Sequence, residues 1–252
     1  MFYQIFKTGL FRPVVKYLMR ATVSGQENVP ATGGAILAIN HPATAETYVV
    51  PAMLDRQVIF PAKAELFKGN RGLGSKVVAW FVKAVDQVPL DRSGGRMSLE
   101  GLRAVLDVLA GGGRVGIFPE GTRSPDGRLY RGKTGVARIA LAARVPVIPI
   151  AVSDTQTVRT RLGLPWVRRP RVVVGEPLDF SRFAGLADDR ATIRWVTDEV
   201  MAAIQQLSGQ QYVDTYASSV KYGAVSAAEA DQKVLPRPGQ GGTGPVPPAA
   251  NP

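Results

Sequence analysis

The chain has no cysteine among its 252 residues, which excludes disulfides, thiolate metal sites and a cysteine nucleophile. It has a single histidine, His41. One imidazole without thiols is a poor basis for a catalytic transition-metal site. A G-x-S-x-G element is also missing, so a serine nucleophile on a strand-to-helix elbow is not expected. No run of eighteen uncharged apolar residues occurs; the best candidate, VARIALAARVPVIPIAV, is broken by Arg138, Arg144 and two prolines. A transmembrane span is therefore not expected. The N-terminus is interrupted by Lys7, Arg12, Pro13, Lys16 and Arg20 and lacks the apolar stretch and cleavage site of a signal peptide. Acid is scarce: Asp and Glu total 20 against 31 Lys and Arg, a formal net charge of +11.

That surplus calls for a polyanion, whether nucleic acid, anionic lipid or a phosphorylated substrate. After Tyr222 the charges are Glu229, Asp231, Lys233 and Arg237, which cancel, so the whole excess sits on residues 1–222. Arg159, Arg161, Arg168, Arg169 and Arg171 form a basic cluster without the interleaved aromatics of an RNA-binding motif. No nucleic-acid partner is expected, and the cluster reads as facing a membrane or an acyl donor.

Residues 1–24 are expected to be an amphipathic, membrane-associating segment with a helix over 10–20, Leu10, Val14 and Leu18 in one row, Arg12, Lys16 and Arg20 opposite and Pro13 in its first turn; the helix either docks on the core or lies in the membrane interface, or does both with different parts. Residues 25–222 carry an α/β rhythm. Strands are expected at 35–39, 57–62, 114–118, 146–152 and 171–175. Helices are expected at 74–85, 96–110, 134–144 and 188–207. The alternation predicts a single-domain α/β sandwich with a mixed, largely parallel sheet flanked by helices. Residues 236–252 hold six Pro and four Gly, and residues 223–252 are expected to be a disordered tail.

Two segments carry chemistry. In AINHPATAET (38–47), His41 follows a buried strand, and Pro42 discourages a continuous helix through it. His41 thus lies at a strand end, where α/β folds place active sites. Glu46, five residues on, can fix the imidazole tautomer and leave the other ring nitrogen to take a proton. In FPEGTRSPDGRLYRGKTG (118–135) a strand leads into a loop of glycines, hydroxyls and cations before a helix, which is what an anion site requires. The same stretch contains GRLYRGKT, a formal match to the nucleotide-binding P-loop. Eight residues separate it from the strand, and its variable positions are bulky, so nucleotide hydrolysis is not the reading adopted.

Taken in order, NH-x-x-x-x-acid, AKAELF (62–67), VPLDR (88–92), FPEGTRS (118–124) and VPVIP (145–149) resemble the lysophosphatidic acid / glycerophosphate acyltransferase family over roughly residues 25–180. Residues 196–221 resemble the C-terminal part of its actinobacterial members. The resemblance implies His41 as general base and Glu46, in place of the family's usual Asp, as its orienting carboxylate. It implies a phosphate site at Glu120, Gly121, Thr122 and Arg123, joined by Arg92, with Lys133 and Gly135 matching the family's Lys-Thr-Gly after the loop, Lys133 among the substrate-binding residues, and Lys63 near the thioester. The implied partners are acyl-CoA or acyl-carrier protein, a glycerol-phosphate lipid acceptor and an anionic membrane surface, with no cofactor and no metal. The implied activity is acyl transfer to lysophosphatidate or glycerol 3-phosphate in phospholipid synthesis, at the cytoplasmic face of the cell membrane as a peripheral protein. Acylation of another lyso-lipid, or a catalytically weak anionic-lipid binding module, fits the same residues.

Overall fold

The computed structural model describes residues 7–63, 72, 75–76, 88–90, 99–160, 163, 165–239 and 244–246. Five strands form the central sheet: β1 (Thr22–Ser24), β2 (Ala35–Ile39), β5 (Arg114–Ile117), β7 (Val147–Ser153) and β10 (Arg171–Val174). Across the sheet the order is β1-β10-β7-β2-β5. Every neighbouring pair is parallel except β10 with β7. The expectation of a mixed, largely parallel sheet is met. The short strands β3 (Pro61–Lys63) and β4 (Val88–Leu90) pair in parallel, β8 (Val158–Arg159) and β9 (Pro165–Trp166) pair antiparallel, and Ile59 bridges to Val115 at the edge of the main sheet.

β2 shows why the sheet lies at the centre. Its sequence, AILAI, offers no polar side chain, and all five residues are buried. Such a strand suits a sheet covered on both faces. Alternation then sorts the side chains. Ile36 and Ala38 meet the layer built by α2 (Leu99–Ala110), α3 (Gly135–Ala143) and α4 (Arg190–Ser208), through Leu109, Ile139 and Val200. Ala35, Leu37 and Ile39 meet the opposite layer, which holds Val15 and, from α1 (Glu46–Met53), Val49 and Met53. α4 begins where Asp189 accepts from the Thr192 amide and ends at Gly209 with φ of 66°.

The N-terminal segment is wound differently from the α-helix that its period predicts. Lys7–Phe11 and Val14–Leu18 wind with i→i+5 hydrogen bonds. The wider turn rotates the faces away from those that a 3.6-residue period assigns. Val15 enters the core, whereas Leu18 is 64% exposed beside Tyr17 at 71%. Lys7 is buried and donates to the Leu54 and Asp55 carbonyls at the end of α1. Burial, followed by nearby Arg12, lowers its ammonium to about 8. The helix expected at 74–85 lies largely outside the described residues.

The chain after residue 222 is a second departure. α6 (Ala227–Asp231) is closed by a capping box between Ser226 and Glu229, and β12 (Val234–Leu235) pairs with β11 (Tyr212–Val213). Arg237 pairs with Glu199 at 2.7 Å, so residues 223–239 are packed against the domain. The Pro/Gly composition of 236–252 does not extend back to 223. The S-x-x-E spacing of 226–229 is itself a helix start.

Candidate active site

His41 is placed by its neighbour. Asn40 is buried, and its amide donates to the Val152 carbonyl at 3.0 Å while its Oδ1 accepts from the Val152 amide at 2.7 Å. These bonds hold the end of β2 to β7 beyond the strand ladder. His41 then leaves the sheet, and α1 begins at Glu46, as Pro42 requires. The imidazole stacks on Phe118 with centroids 4.1 Å apart, and Phe118 stacks on Phe60 at 5.5 Å. Phe60 fits only because Gly116 has no side chain: a Cβ there would lie 2.5 Å from the ring. The His41 side chain remains 14% exposed.

Glu46 is fully buried at the start of α1. Its Oε1 lies 2.7 Å from His41 Nδ1 and accepts from the Ala43 amide at 2.8 Å. Its Oε2 is buried and has no hydrogen-bond partner among the described residues. A carboxylate only accepts, so Nδ1 carries the proton and the Nε2 lone pair is free for a substrate proton. The longer reach of Glu is thus used on one oxygen that serves both the ring and the backbone.

The loop after β5 is tied to His41 by its backbone. Ser124 N donates to the His41 carbonyl at 2.8 Å. Glu120 is 1% exposed, and its two oxygens accept from the amides of His41 at 2.9 Å and Tyr130 at 3.1 Å. Burial pushes its carboxyl up to about 7, against the opposing effect of those two amides. The direct substrate contact expected of Glu120 does not match this placement. Its carboxylate points inward and joins the dyad segment to the loop.

Gly121 has φ of 75°, a conformation that favours glycine, and the side chain of Lys133 runs over it. Arg123 is exposed and donates to Thr44 Oγ1 at 2.7 Å, which brings it to the His41 segment. Lys133 is exposed, and its backbone amide donates to the Pro119 carbonyl at 2.7 Å. Thr122 lies 3.5 Å from Lys221 Nζ through its hydroxyl. The structure therefore gathers His41, Glu46, Gly121, Thr122, Arg123 and Lys133. Arg92 lies outside the described residues, and Lys63 is described through its backbone, as the last residue of β3. Sequence reasoning quoted Asn40 only as part of the NH motif and did not single out Phe60, Gly116 or Lys221. Their only signals were adjacency to a motif or none, because each acts through a long-range contact.

A sequence model of the family described as Acyltransferase matches residues 20–153, more than half of the chain. The 1-acyl-sn-glycerol-3-phosphate acyltransferase of Bacillus subtilis (strain 168) is 29% identical over 190 residues, covering 75% of this chain and 88% of that protein. A chloroplastic 1-acyl-sn-glycerol-3-phosphate acyltransferase of Brassica napus is 31% identical over 137 residues, covering 54% of this chain; the match spans 38% of that protein's length. A crystal structure titled 1-acyl-sn-glycerophosphate (LPA) acyltransferase, from Thermotoga maritima, shares the fold with a TM-score of 0.60 at 23% identity, covering 81% of this chain and 78% of that one. With the dyad and the glycine-hydroxyl-cation loop inside the matched span, the chain belongs to the Acyltransferase family.

Proposed function

We propose that the chain transfers a fatty-acyl group from a thioester donor, acyl-CoA or acyl-carrier protein, to the free hydroxyl of lysophosphatidate. The observation that carries this reading is the His41–Glu46 pair joined through Glu120, Ser124 and Arg123 to a loop whose Arg123 and Lys133 have no carboxylate partner among the described residues. A base beside an anion site suits an acceptor that bears both a hydroxyl and a phosphate. The names of the relatives from Bacillus subtilis and Brassica napus point to the same acceptor.

In the proposed mechanism the acceptor phosphate rests on Arg123 and Lys133, with Arg92 expected to join them. His41 Nε2 takes the hydroxyl proton, and Glu46 stabilises the imidazolium that forms. The alkoxide oxygen bonds to the thioester carbonyl carbon, giving a tetrahedral oxyanion. The carbon–sulfur bond then breaks, and His41 returns its proton to the thiolate. Lys63 is assigned to the donor side. No covalent enzyme intermediate is involved.

The membrane-facing part of the proposal rests on the N-terminal helix. Tyr17 and Leu18 are exposed, and Lys16 lies over the Tyr17 ring. Among the described residues no helix is long and apolar enough to cross a membrane. Exposed apolar residues beside cations suit peripheral contact with an anionic surface, assigned here to the cytoplasmic face of the cell membrane.

The test is thiol release from oleoyl-CoA by the purified protein with a panel of acceptors. Lysophosphatidate should support turnover, and the monoacylglycerol that lacks the phosphate should not. Turnover with glycerol 3-phosphate alone, or with a phosphate-free lyso-lipid, would replace the acceptor. An inactive protein that still binds anionic lipid would replace the enzyme reading with a binding module.

A further inference from the structure

The family match ends at residue 153, yet the chain beyond Gly209 folds back onto the anion loop. β11 pairs in parallel with β6 (Leu129–Tyr130), Tyr212 opposite Leu129 and Val213 opposite Tyr130. The Arg131 amide continues the pairing to the Thr215 carbonyl at 3.0 Å. This fixed register sets the start of α5 (Ala217–Lys221), whose first residue is buried. Its last residue, Lys221, reaches the loop and brings Nζ to 3.5 Å from Thr122 Oγ1.

Three cations then stand beside three consecutive loop residues: Lys133 over Gly121, Lys221 at Thr122, and Arg123 itself. The other cations of the loop are neutralised. Arg128 pairs with Asp126 at 2.6 Å and Asp231 at 2.7 Å, and Arg131 faces Asp214 at 3.5 Å. Among the described residues no carboxylate pairs with Arg123, Lys133 or Lys221. Like charges held together without a counter-charge are unfavourable unless an anion supplies it. A phosphate monoester, dianionic and rich in acceptor oxygens, matches three converging donors.

We infer that Lys221 is a further cationic ligand of the acceptor phosphate, delivered to the loop by the C-terminal segment. This inference rests on the acceptor reading above. The experiment compares the parent full-length chain with Lys221→Ala, Lys221→Arg and Arg123→Ala. Initial rates are measured against lysophosphatidate in neutral detergent micelles, which removes anionic lipid as a source of any charge effect. Lys221→Ala should raise the KM for lysophosphatidate about fivefold, the upper range for an exposed charge pair, with kcat within about twofold of the parent. Lys221→Arg should keep the parental KM, since it keeps the charge. If Arg123→Ala raises KM and Lys221→Ala does not, the phosphate site stands and Lys221 is not part of it. A Lys221→Ala variant that loses kcat at unchanged KM also overturns the role. If neither variant moves KM, the phosphate site lies elsewhere and the Lys221 assignment falls with it; if the parent does not turn over lysophosphatidate, the acceptor reading itself fails.

Discussion

Replacing Glu46 by Gln separates two things that a dyad carboxylate does: holding the imidazole in one tautomer and neutralising the imidazolium. Among the described residues both hydrogen bonds to Glu46 fall on Oε1, from His41 Nδ1 at 2.7 Å and the Ala43 amide at 2.8 Å, while Oε2 has no partner. A glutamine can place its carbonyl oxygen where Oε1 stands and its NH₂ in the unpartnered position. The tautomer then survives and only the charge is lost. Two unit charges about 4 Å apart at an effective dielectric of about 20 interact by about 4 kcal/mol. His41 is partly exposed, and the hydrogen bond itself remains, so part of that is retained. The expected loss in kcat is therefore between about 10²- and 10³-fold, each factor of ten corresponding to about 1.4 kcal/mol. Losing the tautomer as well would cost about 10⁴-fold. Glu46→Asp keeps the charge but shortens the reach, and should lie between parent and Gln. Steady-state kinetics of both variants, with circular dichroism to confirm folding, decide the matter. Turnover of Glu46→Gln within about threefold of the parent, below any charge effect of this size, would refute the reasoning.

Gly116→Ala places a methyl carbon 2.5 Å from the Phe60 ring, two stacked rings away from His41. Overpacking of this kind should destabilise the fold by about 1–3 kcal/mol in urea denaturation and lower kcat as the ring stack shifts, with Phe60→Leu in the same chain restoring part of both. Burial raises the Glu120 carboxyl from 4.5 to about 7, so between these values the unfolded chain releases a proton that the folded chain keeps. Stability attributable to Glu120 should therefore fall as pH rises through that window, by about 3 kcal/mol in all, and level off above it. Denaturation of parent and Glu120→Gln at pH 5 and pH 8 reads the difference, and a gap independent of pH contradicts it. Sedimentation with anionic vesicles should show binding that falls with added salt and weakens in a Lys16→Glu, Arg20→Glu double variant; equal binding to neutral vesicles in high salt would point to a purely apolar anchor.

The α/β core was readable because β2, β5, β7 and β10 are short apolar runs separated by helices with strong periodicity, such as Leu99–Ala110. The dyad was readable because His41, Pro42 and Glu46 are close in sequence and local rules govern them. In the N-terminal helix a docked part and an exposed part were both foreseeable, Val15 entering the core and Leu18 staying outside, but not the i→i+5 hydrogen bonds or the burial of Lys7, which local periodicity does not encode. Glu120 was read as a substrate ligand because sequence gives a residue type but not the direction of its side chain. Only the backbone amides of His41 and Tyr130, respectively 79 and 10 positions away, show that it faces inward. Gln210, which accepts from Asn40 at 2.7 Å and donates to the Gly127 carbonyl at 2.6 Å, was invisible for the same reason.

The central claim is that His41 is the base that activates the acceptor hydroxyl. Its most direct test is the formation of phosphatidate from oleoyl-CoA and lysophosphatidate, followed by mass spectrometry for the parent and His41→Ala at matched folding. The account predicts phosphatidate from the parent and a rate lower by about 10²- to 10⁴-fold for the variant, the range of general-base removal, with the KM for lysophosphatidate little changed. Phosphatidate formed by His41→Ala at the parental rate would contradict it.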